Sequence, residues 1–408
     1  MSVEKKVPEI RFTGFSGEWT EKELNKEVEL FSGLTYSPKD VRKEGVFVIR
    51  SSNVKNGQLV NADNVYVNPE VVNCSNVKKG DIIVVVRNGS RSLIGKHAQV
   101  NSYMAQTVIG AFMTGFRGQQ PEFINALFDT KQFTAQVEKN LGATINQITN
   151  GAFNSMVFMF PEELEQTSIG NTFQKLDSLI KQHQQKHDKL SHLKKAMLEK
   201  MFPKQGETVP EIRFKGFSGE WEESNLEKST DLLTGNPFNS KEFTSEGFFL
   251  VRGMNVKRGY LDSSPEISEF WPSSKGLERY LLEPEDIVIQ MDGALIGKSY
   301  AKIKSSNLPA ILVQRVTRIR CSEINSEFIY QYIQKDFLDH ISGIKTETAV
   351  PHLSLHDIRA FSVLLPERVE QNAIGNYFQK LDTLINQHQQ QITKLTNIKQ
   401  ACLSKMFV

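Results

Sequence analysis

Apolar side chains recur at alternating spacings of four and three residues along two stretches of the chain, 169–201 and 374–406. This period is typical of a coiled-coil seam and predicts two long helices. About 35 residues at a rise of 1.5 Å per residue make each helix roughly 50 Å long. We expect the two helices to pack on each other within the chain as an antiparallel coiled coil. The predicted seam consists of Ile169, Phe173, Leu176, Ile180, His183, Leu190, Ile374, Phe378, Leu381, Ile385, His388 and Leu395.

Polar residues interrupt the two seams at matching places. The two seam histidines occupy equivalent positions, where a polar contact that fixes the register is favoured over a metal site. Lys194 and Lys399 also fall on the apolar stripe. We expect their ammonium groups to reach solvent while the preceding residues, Leu193 and Ile398, make the contact between helices.

The segments that precede the helices mix strand and helix patterns. Short apolar runs at 82–86 and 286–291 predict buried strands. Apolar positions at helical spacing over 121–141 and 326–341 predict helices. The expected fold class is therefore α+β, with two similar mixed α/β domains joined by the two long helices.

A nearly identical segment, which we call the repeated phrase, begins each half of the chain. It reads VPEIRFTGFSGEW at residues 7–19 and VPEIRFKGFSGEW at residues 209–221. A unit of about 200 residues is written twice, with constant segments alternating with diverged ones, and implies a pseudo-twofold repeat. Further matching pairs are 47–59 with 249–261, 80–96 with 285–298, and 160–185 with 365–390.

The repeat divides the chain into a first mixed domain at 1–160, a helix at 161–202, a second mixed domain at 203–365 and a helix at 366–408. Aromatic residues of the repeated phrase are expected to be buried where the helices meet the domains, which would give each half the same docking geometry. These aromatic residues are Phe12, Phe15, Trp19, Phe214, Phe217 and Trp221.

Composition limits the possible functions only loosely. The 408 residues are 39% hydrophobic and 24% charged, which suits a globular chain with more than one core. No run of eighteen apolar residues predicts a membrane span, and the first residues lack a signal-peptide pattern. Three widely separated cysteines predict a reducing, cytoplasmic location. The net charge of +2 does not indicate a strongly basic nucleic-acid clamp.

Catalytic motifs are incomplete or missing in the sequence. The stretch GALIGKS at 293–299 is one residue short of a phosphate-binding P-loop. Asp286, Asp292 and Lys298 suggest a nuclease metal site, but the other copy lacks the second carboxylate that a catalytic metal needs. We therefore expect a non-catalytic chain with no metal and no cofactor of its own.

Polar loops follow the predicted strands at equivalent places in both copies. Arginine side chains read guanine edges, asparagine and glutamine read adenine, and carboxylates accept hydrogen bonds from cytosine. Each loop taken alone is also compatible with an ordinary solvated turn, but the paired placement favours DNA reading. The candidate DNA-binding residues are Arg50, Asn53, Arg87, Asn88, Arg91, Lys96, Thr144, Gln147, Arg252, Asn255, Lys257, Gln290, Asp292, Lys298, Thr348 and His352.

The chain resembles the specificity subunit of type I restriction-modification systems over essentially its full length. The resemblance rests on VPEIRF and GFSGEW in each half, LIGK inside each domain, and P-x-x-x-E-Q-x-x-I-G-x-x-F-x-x-L-D-x-L-I beginning at Pro161 and Pro366. It implies that each diverged domain is a target recognition domain that reads half of an asymmetric, bipartite site in double-stranded DNA. The helix pair is then a spacer that sets the unread gap and docks the methyltransferase subunits.

The resemblance also implies the rest of the complex. Two methyltransferase subunits would carry S-adenosylmethionine and methylate the DNA, typically at adenine. Two translocase-nuclease subunits would use ATP and Mg²⁺ for restriction. Two alternatives remain open: a coiled-coil assembly scaffold that binds no DNA, and a specificity factor of a methylation-only or phage-exclusion system. A third, an enzyme with an unrecognised site, is disfavoured by the missing catalytic motifs.

Overall fold

The computed structural model describes residues 6–141, 146–293, 295–342 and 352–408. The chain forms two compact units. The first unit comprises Met1–Gln184 together with Gln389–Val408, and the second comprises Gln185–His388. Each unit therefore contains one mixed domain and one part of each long helix. Within the described ranges, no helix is both long enough and apolar enough to cross a membrane.

The mixed domain of the first unit contains twelve of the described strands and three short helices, and the first long helix follows it. These elements are β1 (Thr20–Glu23), β2 (Val28–Ser32), β3 (Val41–Arg42), β4 (Val46–Ile49), β5 (Val54–Lys55), β6 (Gln58–Leu59), β7 (Val65–Val67), β8 (Ile82–Val85), β9 (His97–Gln99), β10 (Thr107–Ile109), β11 (Met113–Gly118), α1 (Pro121–Phe128), α2 (Lys131–Asn140), α3 (Asn150–Asn154), β12 (Val157–Phe160) and α4 (Glu163–Lys200).

Two four-stranded sheets form the body of this domain. One is antiparallel in the order β2-β11-β8-β9, and the other is mixed in the order β10-β4-β7-β3, with β4 and β10 parallel. Strand β8 is buried along its whole length, which explains its unbroken apolar sequence. The predicted strand at 82–86 is confirmed.

The predicted helix over 121–141 is interrupted in the structure. Helix α1 ends at Phe128, and α2 begins at Lys131 with Thr130 as its N-cap. The Thr130 hydroxyl accepts a hydrogen bond from the backbone N–H of Phe133, a local bond that competes with a continuous helix. Periodicity alone did not reveal this break.

The second unit repeats the arrangement. Its elements are β13 (Glu222–Asn225), α5 (Leu226–Ser229), β14 (Asp231–Thr234), β15 (Phe248–Val251), β16 (Phe270–Trp271), β17 (Ile287–Gln290), β18 (Tyr300–Lys302), β19 (Ala310–Leu312), β20 (Val316–Arg320), α6 (Ser326–Tyr332), α7 (Leu338–Ser342), α8 (Leu355–Arg359), β21 (Ser362–Leu365) and α9 (Arg368–Lys405). A π-helical turn at Ile333–Phe337 joins α6 to α7.

Among the described residues, the two main sheets of the second unit match those of the first, except that β3 has no counterpart strand. The order β14-β20-β17-β18 corresponds to β2-β11-β8-β9, and the order β16-β15-β19 corresponds to β7-β4-β10. Strand β17 confirms the apolar run predicted at 286–291. The predicted fold class, with two similar mixed domains and two long helices, is confirmed.

The long helices run antiparallel within each unit. In the first unit, Phe173 of α4 lies 5.9 Å from Phe407, and Asp177 binds Lys399 of α9. In the second unit, Phe202 lies 6.0 Å from Phe378 of α9, and Lys194 of α4 binds Asp382. The twelve predicted seam residues, all within the described ranges, are buried or half-buried.

The prediction for the seam lysines was wrong. Lys194 and Lys399 turn inwards and bind carboxylates, whereas Leu193 and Ile398 are exposed. The ammonium groups stay inside because each finds an aspartate on the opposite helix, at 2.7 Å in the second unit and 2.6 Å in the first. A paired charge can remain buried where an unpaired one cannot.

The repeated phrase docks in the same way in both units. Arg11 makes two hydrogen bonds of 2.7 and 2.6 Å to the buried Glu165, and Arg213 makes the same pair to Glu370. The backbone N–H of Ile10 donates to the carbonyl of Lys405 at the end of α9. The phrase therefore joins the start of one long helix to the end of the other.

The aromatic residues of the phrase are buried to different degrees. Trp19 and Trp221 are almost fully buried, as expected, whereas the four phenylalanines are half-buried. Trp19 packs edge-on against Phe407 in the first unit, and Trp221 packs edge-on against Phe202 in the second.

Candidate nucleic-acid interface

Four loops converge at one end of the sheets in the first unit, and we call residues 50–53, 87–92, 110–112 and 146–147 the first loop cluster. The backbone N–H of Val86 donates to the carbonyl of Phe112, and that of Asn88 donates to Asn146. The Asn88 side chain donates to the Ser51 hydroxyl at 3.1 Å. These bonds bring the predicted loop residues 50–53 and 87–91 together.

The second unit assembles the equivalent loops, and we call residues 252–255, 290–293, 313–315 and 352 the second loop cluster. The backbone N–H of Met291 donates to the carbonyl of Arg315, as Val86 does to Phe112. Asp292 forms a β-bridge with His352, as Arg87 does with Gln147. The predicted residues Asp292 and His352 are thus neighbours.

Asn53 and Asn255 were predicted to contact DNA, and this prediction was wrong. Only 1% of Asn53 and 0% of Asn255 is exposed. The Asn53 side chain accepts a hydrogen bond from the backbone N–H of Arg50 and donates to the carbonyl of Ala62, and Asn255 repeats this pattern with Arg252 and Asp262. Both asparagines hold the turn from inside, so their polar atoms are not available to a base.

Arg50 and Arg252 also support the framework. The Arg50 Nη2 donates to the carbonyl of Asp63, and the Arg252 Nη2 donates to that of Ile267. Both side chains are half-buried. The guanidinium groups of these two arginines are therefore partly committed to their own loops.

The exposed candidates of the first unit are basic. Arg87, Arg91 and Lys96 are exposed, and the Arg87 guanidinium lies 5.0 Å from the centre of the Phe112 ring. Gln147 is half-exposed beside Arg87. Thr144 lies outside the described residues.

The second loop cluster has a different charge pattern. Asp292 binds Arg315 at 2.7 Å, and Gln290 packs beside Gly253. Lys298 is exposed, and Lys257 lies outside the cluster, on a turn hydrogen-bonded to β18. Thr348 lies outside the described residues.

A sequence model of the type I restriction modification DNA specificity domain matches residues 16–192 and, a second time, residues 218–397. The chain belongs to this DNA specificity family. The family resemblance seen in the sequence is confirmed.

Named relatives are similar to the chain over different lengths. The specificity subunit of the EcoAI enzyme from Escherichia coli is 29% identical over 170 residues, which cover 40% of this chain and 28% of that protein. The specificity subunit of the EcoKI enzyme from Escherichia coli strain K12 is 23% identical over 428 residues, which cover 95% of this chain and 88% of that protein.

The fold has a counterpart of known structure. The S subunit of a type I restriction-modification system from M. genitalium superposes with a TM-score of 0.65 at 17% identity, covering 98% of this chain and 99% of that chain. The similarity concerns the fold, and it includes both halves of the chain.

Two residues of this specificity family member were missed in the sequence. Phe112 and Arg315 lie in the loop clusters, at positions made equivalent by the backbone bonds from Val86 and Met291. No sequence motif marks them, because the segments around them have diverged. The exposed aromatic Phe112 could have been noticed only after its strand was placed.

Among the described residues, no group of three or more His, Cys, Asp or Glu side chains is placed to hold a metal ion. Asp286, which suggested a nuclease site, is buried and binds Arg320 through both carboxylate oxygens at 2.8 and 2.7 Å. Its carboxylate is occupied in holding β20 to the start of β17.

Proposed function

We propose that the chain is the DNA-reading subunit of a type I restriction-modification complex, in which each mixed domain reads one half of an asymmetric, bipartite site. The observation that carries the proposal is the contrast between framework and side chains in the two loop clusters. The backbone bonds are the same, whereas Arg87 and Phe112 in one unit are replaced by Asp292 and Arg315 in the other. Two different readouts on one framework suit two different half-sites.

The long helices support a role as a spacer. Each of α4 and α9 is one unbroken helix of 38 residues. At 1.5 Å per residue this is about 57 Å, longer than one DNA turn of about 34 Å. We propose that the helix pair fixes the length of the unread gap between the half-sites.

Exposed apolar side chains at equivalent places support docking of two copies of one partner. Ile10 and Leu164 flank the Arg11–Glu165 pair in the first unit, and both are exposed. Ile212 and Val369 flank the corresponding Arg213–Glu370 pair and are exposed as well. Because these sites belong to the constant segments, an identical partner would fit both, and we propose that this partner is the methyltransferase subunit.

Catalysis would then belong to the partners. Methyltransferase subunits would bring S-adenosylmethionine, and two translocase-nuclease subunits would bring ATP and Mg²⁺. The partners would also supply basic surface, because tight DNA binding depends on neutralised phosphates and this chain has a net charge of only +2.

The test is single-molecule sequencing of DNA from cells that express the chain with its cognate methyltransferase subunit. We expect one asymmetric motif in two blocks, separated by a fixed unread gap and lost when the chain is deleted. A matched culture with a methyltransferase but no specificity chain is the control. An intact complex that modifies no motif would refute DNA reading and favour the assembly scaffold.

A further inference from the structure

Phe112 and Arg315 occupy the same place in their two units. Each accepts a 2.9 Å backbone hydrogen bond, Phe112 from Val86 and Arg315 from Met291. Arg87 and Asp292, the next residues along the chain, are therefore equivalent to each other as well. The four residues form two facing pairs, Arg87 with Phe112 and Asp292 with Arg315.

Each pair presents one guanidinium group, but from opposite sides. In the first unit the arginine follows β8 and lies 5.0 Å from the centre of the Phe112 ring. In the second unit the arginine precedes β20, and its Nη1 lies 2.7 Å from Asp292 Oδ2. An aromatic face or a carboxylate can each hold a guanidinium in one orientation.

Folding stability does not account for either pair. Phe112 is 51% exposed, and the Arg315 side chain is 65% exposed. An ion pair at such exposure contributes little to stability. Arg315 also has a φ of +67°, a left-handed conformation that is unfavourable for a residue with a side chain. Such local strain clusters at functional sites.

We propose that this pair is the principal base-reading element of each domain, and that its arginine contacts a guanine in the major groove of each half-site. The inference rests on the proposed function, and it adds which residues read the DNA and which base they read. Arginine donates two parallel hydrogen bonds to guanine O6 and N7, and no other base offers two acceptors on its major-groove edge. A guanidinium held beforehand by Phe112 or Asp292 loses less entropy on contact.

Four variants, each in complex with the cognate methyltransferase subunit, test the proposal. Arg87→Ala and Arg315→Ala remove the reader of one unit each. Arg87→Lys keeps the charge but loses the two-pronged donor, and Phe112→Leu keeps an apolar side chain but loses the ring. Arg279→Ala is the matched control, because that exposed arginine lies 5.2 Å from the Tyr280 ring outside the loop cluster.

Modified motifs are read by single-molecule sequencing, and methylation rates are measured on oligonucleotides varied at each position. We expect Arg87→Ala to slow methylation of the cognate site roughly 5- to 150-fold and to relax one G·C position in one block only. Arg87→Lys should relax the same position, and Arg315→Ala should relax one position of the other block. Phe112→Leu should weaken discrimination at the position that Arg87→Ala relaxes, and by less, because the arginine remains but loses the ring that orients it. Arg279→Ala should leave the motif unchanged.

Three results would overturn the inference. The first is an unchanged motif and rate in Arg87→Ala and Arg315→Ala. The second is an equal loss of rate on every sequence with no relaxed position, which indicates a phosphate contact. The third is relaxation by Arg87→Ala that Arg87→Lys does not share. Failure of the proposed function is distinct, because the wild-type complex would then show no bipartite motif at all.

Discussion

Replacing Lys399 with methionine should destabilise the first unit more than the matched change of Lys194 destabilises the second. The Lys399 Nζ lies 2.6 Å from Asp129 and 2.6 Å from Asp177. Among the described residues, Lys194 has one carboxylate partner, Asp382, and it also binds the neutral Gln334 at 2.8 Å. Methionine keeps the apolar stem of lysine, so the change isolates the charge.

The size of the stability loss depends on the carboxylates that remain buried without their lysine partner. Removing one partner of a buried ion pair costs about 3–5 kcal/mol, because the other charge stays buried and unpaired. Lys399 is 14% exposed, but Asp177 is 39% exposed, so solvent screens part of that loss. We expect a decrease in the free energy of unfolding of about 2–4 kcal/mol for Lys399→Met and about 1–2 kcal/mol for Lys194→Met.

The loss should depend on pH with a definite sign. Burial raises the pKa of Asp129, but the hydrogen bond and charge of His97 and the charge of Lys399 outweigh it and lower that pKa to about 2. The group therefore contributes stability above pH 3.8 that is lost as the pH falls towards 2. Burial raises the pKa of Asp177 despite Lys399, so Asp177 has the opposite effect.

Without Lys399 the pKa values of both aspartates should rise, and the carboxyls should take up protons at a higher pH than in the wild type. The loss in the free energy of unfolding of Lys399→Met relative to wild type should therefore be largest near pH 7 and shrink towards pH 4.

Hydrogen exchange in urea, corrected for intrinsic exchange rates, measures this loss in each unit. Peptides from α1 and α2 report on the first unit, and those from α6 and α7 report on the second. Equal losses in the two variants, or a deficit independent of pH, would refute the reasoning.

Three further substitutions test the packing of the helices. Phe407→Ala should lower the free energy of unfolding of the first unit by about 3–4 kcal/mol and leave that of the second unchanged, because the Phe407 ring packs on Trp19 and Phe123. Phe202→Ala should have the reverse effect, because the Phe202 ring packs on Trp221 in the second unit. Hydrogen exchange, followed separately in peptides of each unit, measures both effects. Gly170→Ala should destabilise the first unit, because the added Cβ would lie 2.6 Å from the backbone nitrogen of Phe123. This clash should outweigh a helix-propensity gain of about 1 kcal/mol. Urea titration measures the change, and unchanged or increased stability would show that α1 can move away.

Periodicity was sufficient to predict the long helices but not the direction in which their polar side chains point. The apolar stripe predicted the seam because 3.5-residue spacing has few other causes. The inward turn of Lys399 depends on Asp129, which is 270 residues away in sequence. No local pattern can show that a distant carboxylate will meet a seam lysine.

The candidate interface shows the same limit. The sequence located the loops at 50–53 and 87–92 because turn residues follow apolar strands. It could not show that Asn53 points inwards, since the carbonyls that it binds belong to residues seven and nine positions on. Phe112 and Arg315 became visible only through β-sheet pairing.

The repeat also predicts that a recognition domain will function in either position. In both units the domain meets a tryptophan of the repeated phrase, a phenylalanine at the end of a long helix, and a lysine–aspartate pair between the helices. A first domain placed in the second unit would bring Asp129 next to Lys194, where Gln334 now lies, so the lysine would gain a second carboxylate partner instead of losing one.

Replacing residues 222–365 with residues 20–160 should therefore give a folded chain whose modified motif contains the same half-site twice, as an inverted repeat. Sequencing of modified DNA checks the outcome, and the reciprocal chain with 222–365 in both places is the matched control. A folded chimera that keeps the original asymmetric motif would show that specificity does not lie in the exchanged residues.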